Sequence, residues 1–416
     1  MDHRAIVERL CRERRDLVSQ GYDNALGYLS GLLPELEIHG YPSGTEVWNW
    51  IIPDRWEVDA AWVAAPDGRR IIDIDQHGLH VASYSQPIRR RVSHGELMAH
   101  LITRPDAADA VPFGYRYYRD DWAFCLQHNR LPELCHEYYD VLIDSRFEPG
   151  RLKVGEVYLP GAERDEIVLI GHLCHPFQAN DNASGIAVLM GLADKLRNAV
   201  HQYSYRIILC PETIGSIAYL AHNEHLLHRM RYGIALDMLG NSNRLIAQLT
   251  PGGNTQLDRA AELVIGECAP YRMVIGNDER VLNSVGVRVP TISISRAARW
   301  GETSELPFRG YHSSMDTPDA LDYDLLAEAQ DAVEWILTLL DVNFSPQSRC
   351  RGPIMLSRHD LWIDPGDDHE RGIQMQMVLD LLDGKHTVID IAHQVGIDPA
   401  ELLAWLYRMR EKELIG

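Results

Sequence analysis

Between residues 138 and 345, short apolar runs rich in β-branched residues alternate with helical patterns: YDVLI, EIVLIGH, GIAVLMGLADKLR, YRIILC, SIAYLAHNEHLL and YGIALDM. Strand and helix in strict alternation point to an α/β domain on a largely parallel sheet. The strand-like runs end in HLCHP, PETIG and DMLG, so ionisable residues collect at strand C-termini. Open α/β sheets bind their ligands at that edge.

The flanking sequence has other textures. Residues 3–20 read as an amphipathic helix, with Ile6, Leu10, Leu17 and Val18 set among charges. From about Glu46 to Asp140, runs such as TEVWNWII, DAAWVAA and RRIIDI are separated by turn signals such as PDG, as in a small β-rich domain. Beyond PQSRCRGP, three helical patterns joined by DGKHT and GIDP suggest a helix-turn-helix or winged-helix module. Residues 352–416 carry six Lys or Arg against twelve Asp or Glu, which disfavours DNA reading and favours protein contact or self-association into a homo-oligomer.

Composition narrows the class. A chain of 416 residues, 45% hydrophobic and 24% charged, is neither disordered nor fibrous. Its formal charge of −20 argues against nucleic-acid or anionic membrane partners. The first 26 residues interleave charges through their apolar positions, so no secretory signal is expected, and no run approaches the ~18 apolar residues of a membrane span. Seven cysteines without any C-x-x-C spacing suggest neither a disulfide frame nor a thiolate zinc knuckle; a reducing cytoplasm is the expected setting.

Five segments carry ionisable residues in a suggestive order: GHLCHP (171–176), NDNASG (180–185), PET (211–213), LDM (236–238) and YHSSMDT (311–317). Two histidines and three carboxylates at strand ends could enclose a pair of divalent ions with one carboxylate bridging. Imidazole and oxygen donors without thiolate suit zinc, and also manganese or cobalt. Plainer roles stand beside this one. Asp181 could cap the helix starting near Ser184, Glu212 could be a first-turn acid, and His312 and Asp316 could share a loop hydrogen bond. Asp237 is different, because a carboxylate inside an apolar strand needs a partner for its charge. Arg296 in SISRAARWG could pair with a substrate carboxylate or with a surface acid.

These motifs resemble those of the co-catalytic zinc aminopeptidase family. GHLC, NDNASG, LDMLG and YHSSMDT match four of its signatures in order, across residues about 138 to 345. The whole chain is still more similar to a bacterial aminopeptidase-like subfamily with an inserted small β domain and a C-terminal winged helix, on the strength of DVLIDS, GHLCHP, PETIG and LLDGKHTVIDIA. The resemblance implies a zinc-exopeptidase-like mixed, largely parallel sheet flanked by helices. It divides the chain into a metal-hydrolase domain (1–40 and 136–347), an inserted β-rich domain (41–135) and a winged-helix-like tail (348–416).

By position, the resemblance implies one or two zinc ions, with His172 and Asp237 on one, Glu212 and His312 on the other, and Asp181 bridging. Tyr311 would stabilise the oxyanion, and metal-activated water would cleave an amide in a small peptide or aminoacyl conjugate. The chain departs from the family in two places. Cys174 replaces an Asp that orients ligands, with His175 beside it as a second imidazole; His172 is preferred because it directly ends EIVLIG. Pro211-Glu212 replaces a Glu-Glu pair, so one carboxylate faces two roles, ligand and general base, unless Glu302 or Glu305 serves as base. Two other functions compete: hydrolysis or transfer of an acyl group on a sugar or secondary metabolite, and a binding protein without catalysis that works through its tail module.

Overall fold

Glu166–His172 is buried at every position. Ile167, Val168, Leu169 and Ile170 are fully enclosed, each contributing about 1.5–3 kcal/mol of burial. A strand apolar on both faces belongs in the middle of a parallel sheet with helices on either side. The computed structural model describes residues 1–299, 307–363, 366 and 368–416, so Glu302 and Glu305 lie outside the described residues. The chain divides into two compact units, Met1–Leu245 with Arg272–Gln330 and Ile246–Tyr271 with Asp331–Gly416.

In the first unit the strands longer than two residues run, in chain order, β1 Leu36–Pro42, β2 Arg55–Ala64, β3 Arg70–Asp73, β4 Ile88–Ser93, β5 Tyr138–Glu148, β6 Arg151–Leu159, β7 Glu166–His172, β8 Ser204–Cys210, β9 Met230–Asp237 and β10 Thr291–Ser295. Within this unit the strands of the large sheet follow the order β1-β6-β8-β7-β9-β10. Its last four strands are mutually parallel, and β6 and β1 extend it antiparallel. The fold is therefore mixed α/β. From β7 the chain crosses through helix Gly185–Leu196 to β8, then through helix Ile214–His222 to β9 on the other side of β7. The order reverses at β7, and the crevice at such a reversal is where α/β sheets hold ligands. His172 ends β7 and Asp237 ends β9.

YDVLI does not join that sheet. It lies in β5, the third strand of a four-stranded antiparallel sheet of order β3-β2-β5-β4. Its burial alternates along much of its length, whereas that of β7 is continuous, and alternation marks a strand with one covered face. The N-terminal helix also ends early, at His3–Leu10, followed by a second helix at Gln20–Leu32. The fully buried Arg15 donates to the Leu10 carbonyl and turns the chain inward, and Ser19 caps the second helix by accepting from Tyr22 N–H.

The second unit holds a short parallel strand pair, Ile246–Gln248 with Cys268–Ala269, and a helix at Gln256–Val264 opened by a Thr255/Asp258 capping box. Its tail forms three helices, His369–Asp380, Val388–Val395 and Pro399–Glu411. Gly396 takes the left-handed C-cap of the middle one (φ 73°), and Pro399 starts the last. Met375, Val378, Ile389, Ile391, Leu402 and Leu406 are among the buried apolar residues of these helices, and Asp390 receives hydrogen bonds from Gln256 and Arg259. Among the described residues no helix is long and apolar enough to cross a membrane.

Candidate metal centre

The NDNASG segment is fixed from both sides before its acid does anything. Asp316 accepts from the backbone N–H of Asn180 (2.7 Å) and Asp181 (3.0 Å). Asn182 donates to the Leu236 carbonyl (2.7 Å) and accepts from Gly185 N–H (2.9 Å), so Asn182 caps the helix and leaves Asp181 free to face inward. A Cβ on Gly185 would stand 2.7 Å from the Leu236 carbonyl oxygen, which is why a glycine opens this helix. Asn180 Oδ1 accepts from Gly240 N–H (2.7 Å), tying the segment to the turn after β9. The Asp181–Asn182 peptide is cis. Phe177, Thr213, Met238 and His312, all non-glycine residues at positive φ, fall in or beside the segments that carry the cluster, as backbone held out of its easy regions does at functional sites.

Asp181, with a 3% exposed side chain, is the hub. His172 Nε2 stands 2.8 Å from its Oδ1, His312 Nε2 3.0 Å from its Oδ2, and His175 Nδ1 3.8 Å from Oδ1. The potential donor atoms form three overlapping groups, each within 4.8 Å: His172 with Asp181 and Asp237, His175 with Asp181 and His312, and His172 with His175 and Glu212. Donors on one tetrahedral zinc lie about 3.3 Å apart, so these separations fit an ion with little movement. Two buried atoms, Asp237 Oδ1 and His175 Nδ1, have no hydrogen-bond partner among the described residues. An unpaired buried acceptor beside others of its kind is what a cation would satisfy.

The electrostatics agree. Burial works against ionisation of Asp181, yet His175, His172 and His312 hold it well below the usual carboxylate range. Burial pushes Asp237 far up and raises Glu212. Burial would lower His172, but Asp237, Asp181 and Glu212 lift it to about 10. His172 and Asp237 thus both move upward, so the pair shares a proton that neither group gives up easily. His175 is driven well down by burial and stays neutral, the form that binds metals.

The structure brings His172, Asp181, Glu212, Asp237 and His312 together, and adds His175. Tyr311 stacks on the His312 ring (centroids 3.9 Å, 12°), and burial, with the charges of Asp181, Asp237 and Glu212, keeps its phenol protonated. Arg296 stays out of the cluster. Its guanidinium is buried, donating to the carbonyls of Leu239, Asn243 and Leu325 and pairing with Glu328, so its donors are committed to its own chain.

Three supporting residues escaped sequence reasoning. Asn277 Nδ2 lies 2.8 Å from both His172 Nδ1 and Asp237 Oδ2, orienting that pair. Asp278 anchors the turn after β8 by accepting from Thr213 N–H and Ser216 Oγ. Arg15 donates to the carbonyls of Leu173, His175 and Gln178. Cys174, by contrast, orients no imidazole; its Sγ accepts from Glu212 N–H at 3.1 Å.

A cavity of about 260 Å³ opens on the cluster, lined by His175, Glu212 and His312 and walled by Trp50, Phe113, Tyr115, Tyr117 and Tyr118. Phe113 meets both His175 and His312 edge-on at 5.3 Å. Tyr115 and Tyr117 stack on each other (4.9 Å, 18°).

A family model described as a domain of unknown function, DUF4910, matches residues 4–343. A Clostridium acetobutylicum protein, named as a polysaccharide biosynthesis protein with an aminopeptidase-like domain, is 33% identical over 408 residues, covering 94% of this chain and 91% of the relative. The crystal structure of a C. acetobutylicum protein described as a peptidase aligns with a TM-score of 0.88 at 30% identity, over 100% of this chain and 95% of that one. A zinc aminopeptidase from Bacillus subtilis aligns with a TM-score of 0.59 at 14% identity, over 81% of this chain and 94% of that one, a likeness of fold.

Proposed function

The chain belongs to the DUF4910 family, and from its buried cluster we propose that it is a metal-dependent, most simply zinc-dependent, hydrolase that cleaves an amide bond in a small substrate. One observation carries the reading: imidazoles and carboxylates interleave around Asp181 with Asp237 Oδ1 and His175 Nδ1 left unpaired, an arrangement that calls for cations. His172, Asp181, Asp237 and His312 would be ligands. A bound zinc ion supplies Lewis acidity toward the substrate carbonyl and lowers the pKa of water. Tyr311, kept protonated, would donate a hydrogen bond to the carbonyl oxygen as negative charge develops there. The segment 113–118 covers the cluster, which favours short substrates such as dipeptides or aminoacyl conjugates. Seven cysteines without any C-x-x-C spacing suit a reducing cytoplasm.

A second reading has its own support. An aromatic wall of Trp50, Tyr115, Tyr117 and Tyr118 suits the face of a sugar ring as well as an apolar side chain, and the relative named for polysaccharide biosynthesis points the same way. Amide hydrolysis on an acylated amino sugar would use the same cluster. Aminoacyl anilides and N-acyl amino sugars assayed side by side on zinc-loaded protein separate the two. Turnover of neither class, in protein shown to hold metal, would sink the hydrolase reading.

A further inference from the structure

We propose that His175 takes the place of a carboxylate ligand in the second metal site, with His312 and Asp181, and that Glu212 is thereby free to act as the general base. The inference rests on the hydrolase reading and deepens it. Two of the three donor groups, His172–Asp181–Asp237 and His175–Asp181–His312, use each imidazole once and share only Asp181. Asp181 is shaped to be shared, presenting Oδ1 to His172 and Oδ2 to His312. The third group, with Glu212, draws on His172 and His175 again, so it competes with the other two and adds no further site.

Burial separates the two candidates for the last ligand. His175 has a 7% exposed side chain, and its Nδ1, the nitrogen facing Asp181, has no hydrogen-bond partner among the described residues. Glu212 is 30% exposed and lines the aromatic cavity, where a substrate must lie. Its Oε2 stands 3.7 Å from the other nitrogen of His175, Nε2. The imidazole can therefore ligate through Nδ1 while Nε2 faces Glu212 across a gap too long for a direct hydrogen bond, which leaves the carboxylate uncommitted. Its backbone carbonyl is held by Arg15 and its ring edge-on by Phe113, so the group is fixed in place before any ion arrives.

In the reaction Glu212 accepts one proton from the water whose oxygen forms the new C–O bond. The C–N bond breaks with its electron pair on nitrogen, and Glu212 returns that proton to the nitrogen. Amide and water thus become carboxylic acid and amine, with nothing else consumed.

The test is metal content of the full chain after zinc loading and gel filtration, read for the unsubstituted protein, Glu212→Gln and His175→Gln. We expect two equivalents in the first two, one in the third, and activity in Glu212→Gln reduced roughly 10²- to 10⁴-fold. Glu212→Gln is nearly isosteric and partly exposed, so its metal count stays readable even if His175→Gln folds poorly. One equivalent in Glu212→Gln would overturn the inference and leave the hydrolase reading standing. No metal in the unsubstituted protein would overturn both.

Discussion

Arg15 Nη2 donates to the backbone carbonyl of His175 at 2.7 Å, from a guanidinium that is itself wholly buried. The same side chain reaches the carbonyls of Leu10, Leu173 and Gln178, so one cation at the end of the first helix holds the loop that carries two imidazoles of the cluster. Arg15→Ala removes every one of these donors and strands the carbonyls out of reach of water. The expected loss is about 3–5 kcal/mol of stability in urea unfolding. A change under about 1 kcal/mol for Arg15→Ala would show that the loop holds itself.

Asp237 presents an unpaired Oδ1 to His172 and Asp181. Zinc that binds only the folded chain must stabilise it, by about 2.7 kcal/mol at a hundredfold excess over Kd. Differential scanning should therefore show a higher transition temperature with zinc and a lower one with a chelator. Asp237→Asn keeps the shape and removes the charge, and in this variant the zinc-dependent shift should shrink or disappear. An undiminished shift would place the ion elsewhere.

How legible the site was depends on whether a residue's role is local. His172 and Asp237 announce themselves because a run of apolar residues that stops on an ionisable one reads as a strand end at a ligand edge, and β7 and β9 end there. Arg15 and Asn277 could not be read that way. Arg15 sits in a stretch whose charges look like the wet face of a helix, and only the fold turns it inward. Asn277 lies in GNDER, an ordinary polar turn by composition, and its partners are 105 and 40 residues away. Arg296 shows the reverse error: a guanidinium beside a strand end suggests a substrate anion, whereas its donors meet three carbonyls of its own chain.

Asn277 touches both His172 and Asp237 through its side-chain amide nitrogen, so it acts by orienting them. Residues that orient ligands in this way typically govern ten- to hundredfold of metal affinity. Titration calorimetry with zinc should find Asn277→Ala weakened by roughly that factor, with Asn277→Asp less affected. Equal affinity in Asn277→Ala would assign the orientation of His172 to its backbone alone.

Tyr311→Phe preserves the ring that stacks on His312 and removes only the hydroxyl. Metal content should stay unchanged. With whichever amide substrate is turned over, kcat should fall about 10- to 1000-fold while KM moves little, the pattern of a hydrogen bond that matters in the transition state. A loss confined to KM would instead make the phenol a substrate-binding group.

His77 supplies the pH prediction away from the cluster. Burial, with the neighbouring His80 and Arg14, lowers it to about 4, and its Nδ1 accepts from Leu79 N–H at 3.1 Å, which requires the neutral ring. Between about pH 6.5 and pH 4 the unfolded chain binds this proton and the folded one does not, so stability from this group is complete above 6.5 and drains away as pH falls toward 4. Because the ring is partly exposed, solvent screening reduces the effect to about 1–2 kcal/mol. His80, lowered chiefly by burial, adds to the same slope. His77→Asn keeps a side-chain acceptor for Leu79 N–H and cannot titrate, so urea unfolding across this window should show a shallower fall than in the unsubstituted chain. An identical slope would mean that His77 already protonates in the folded state without cost.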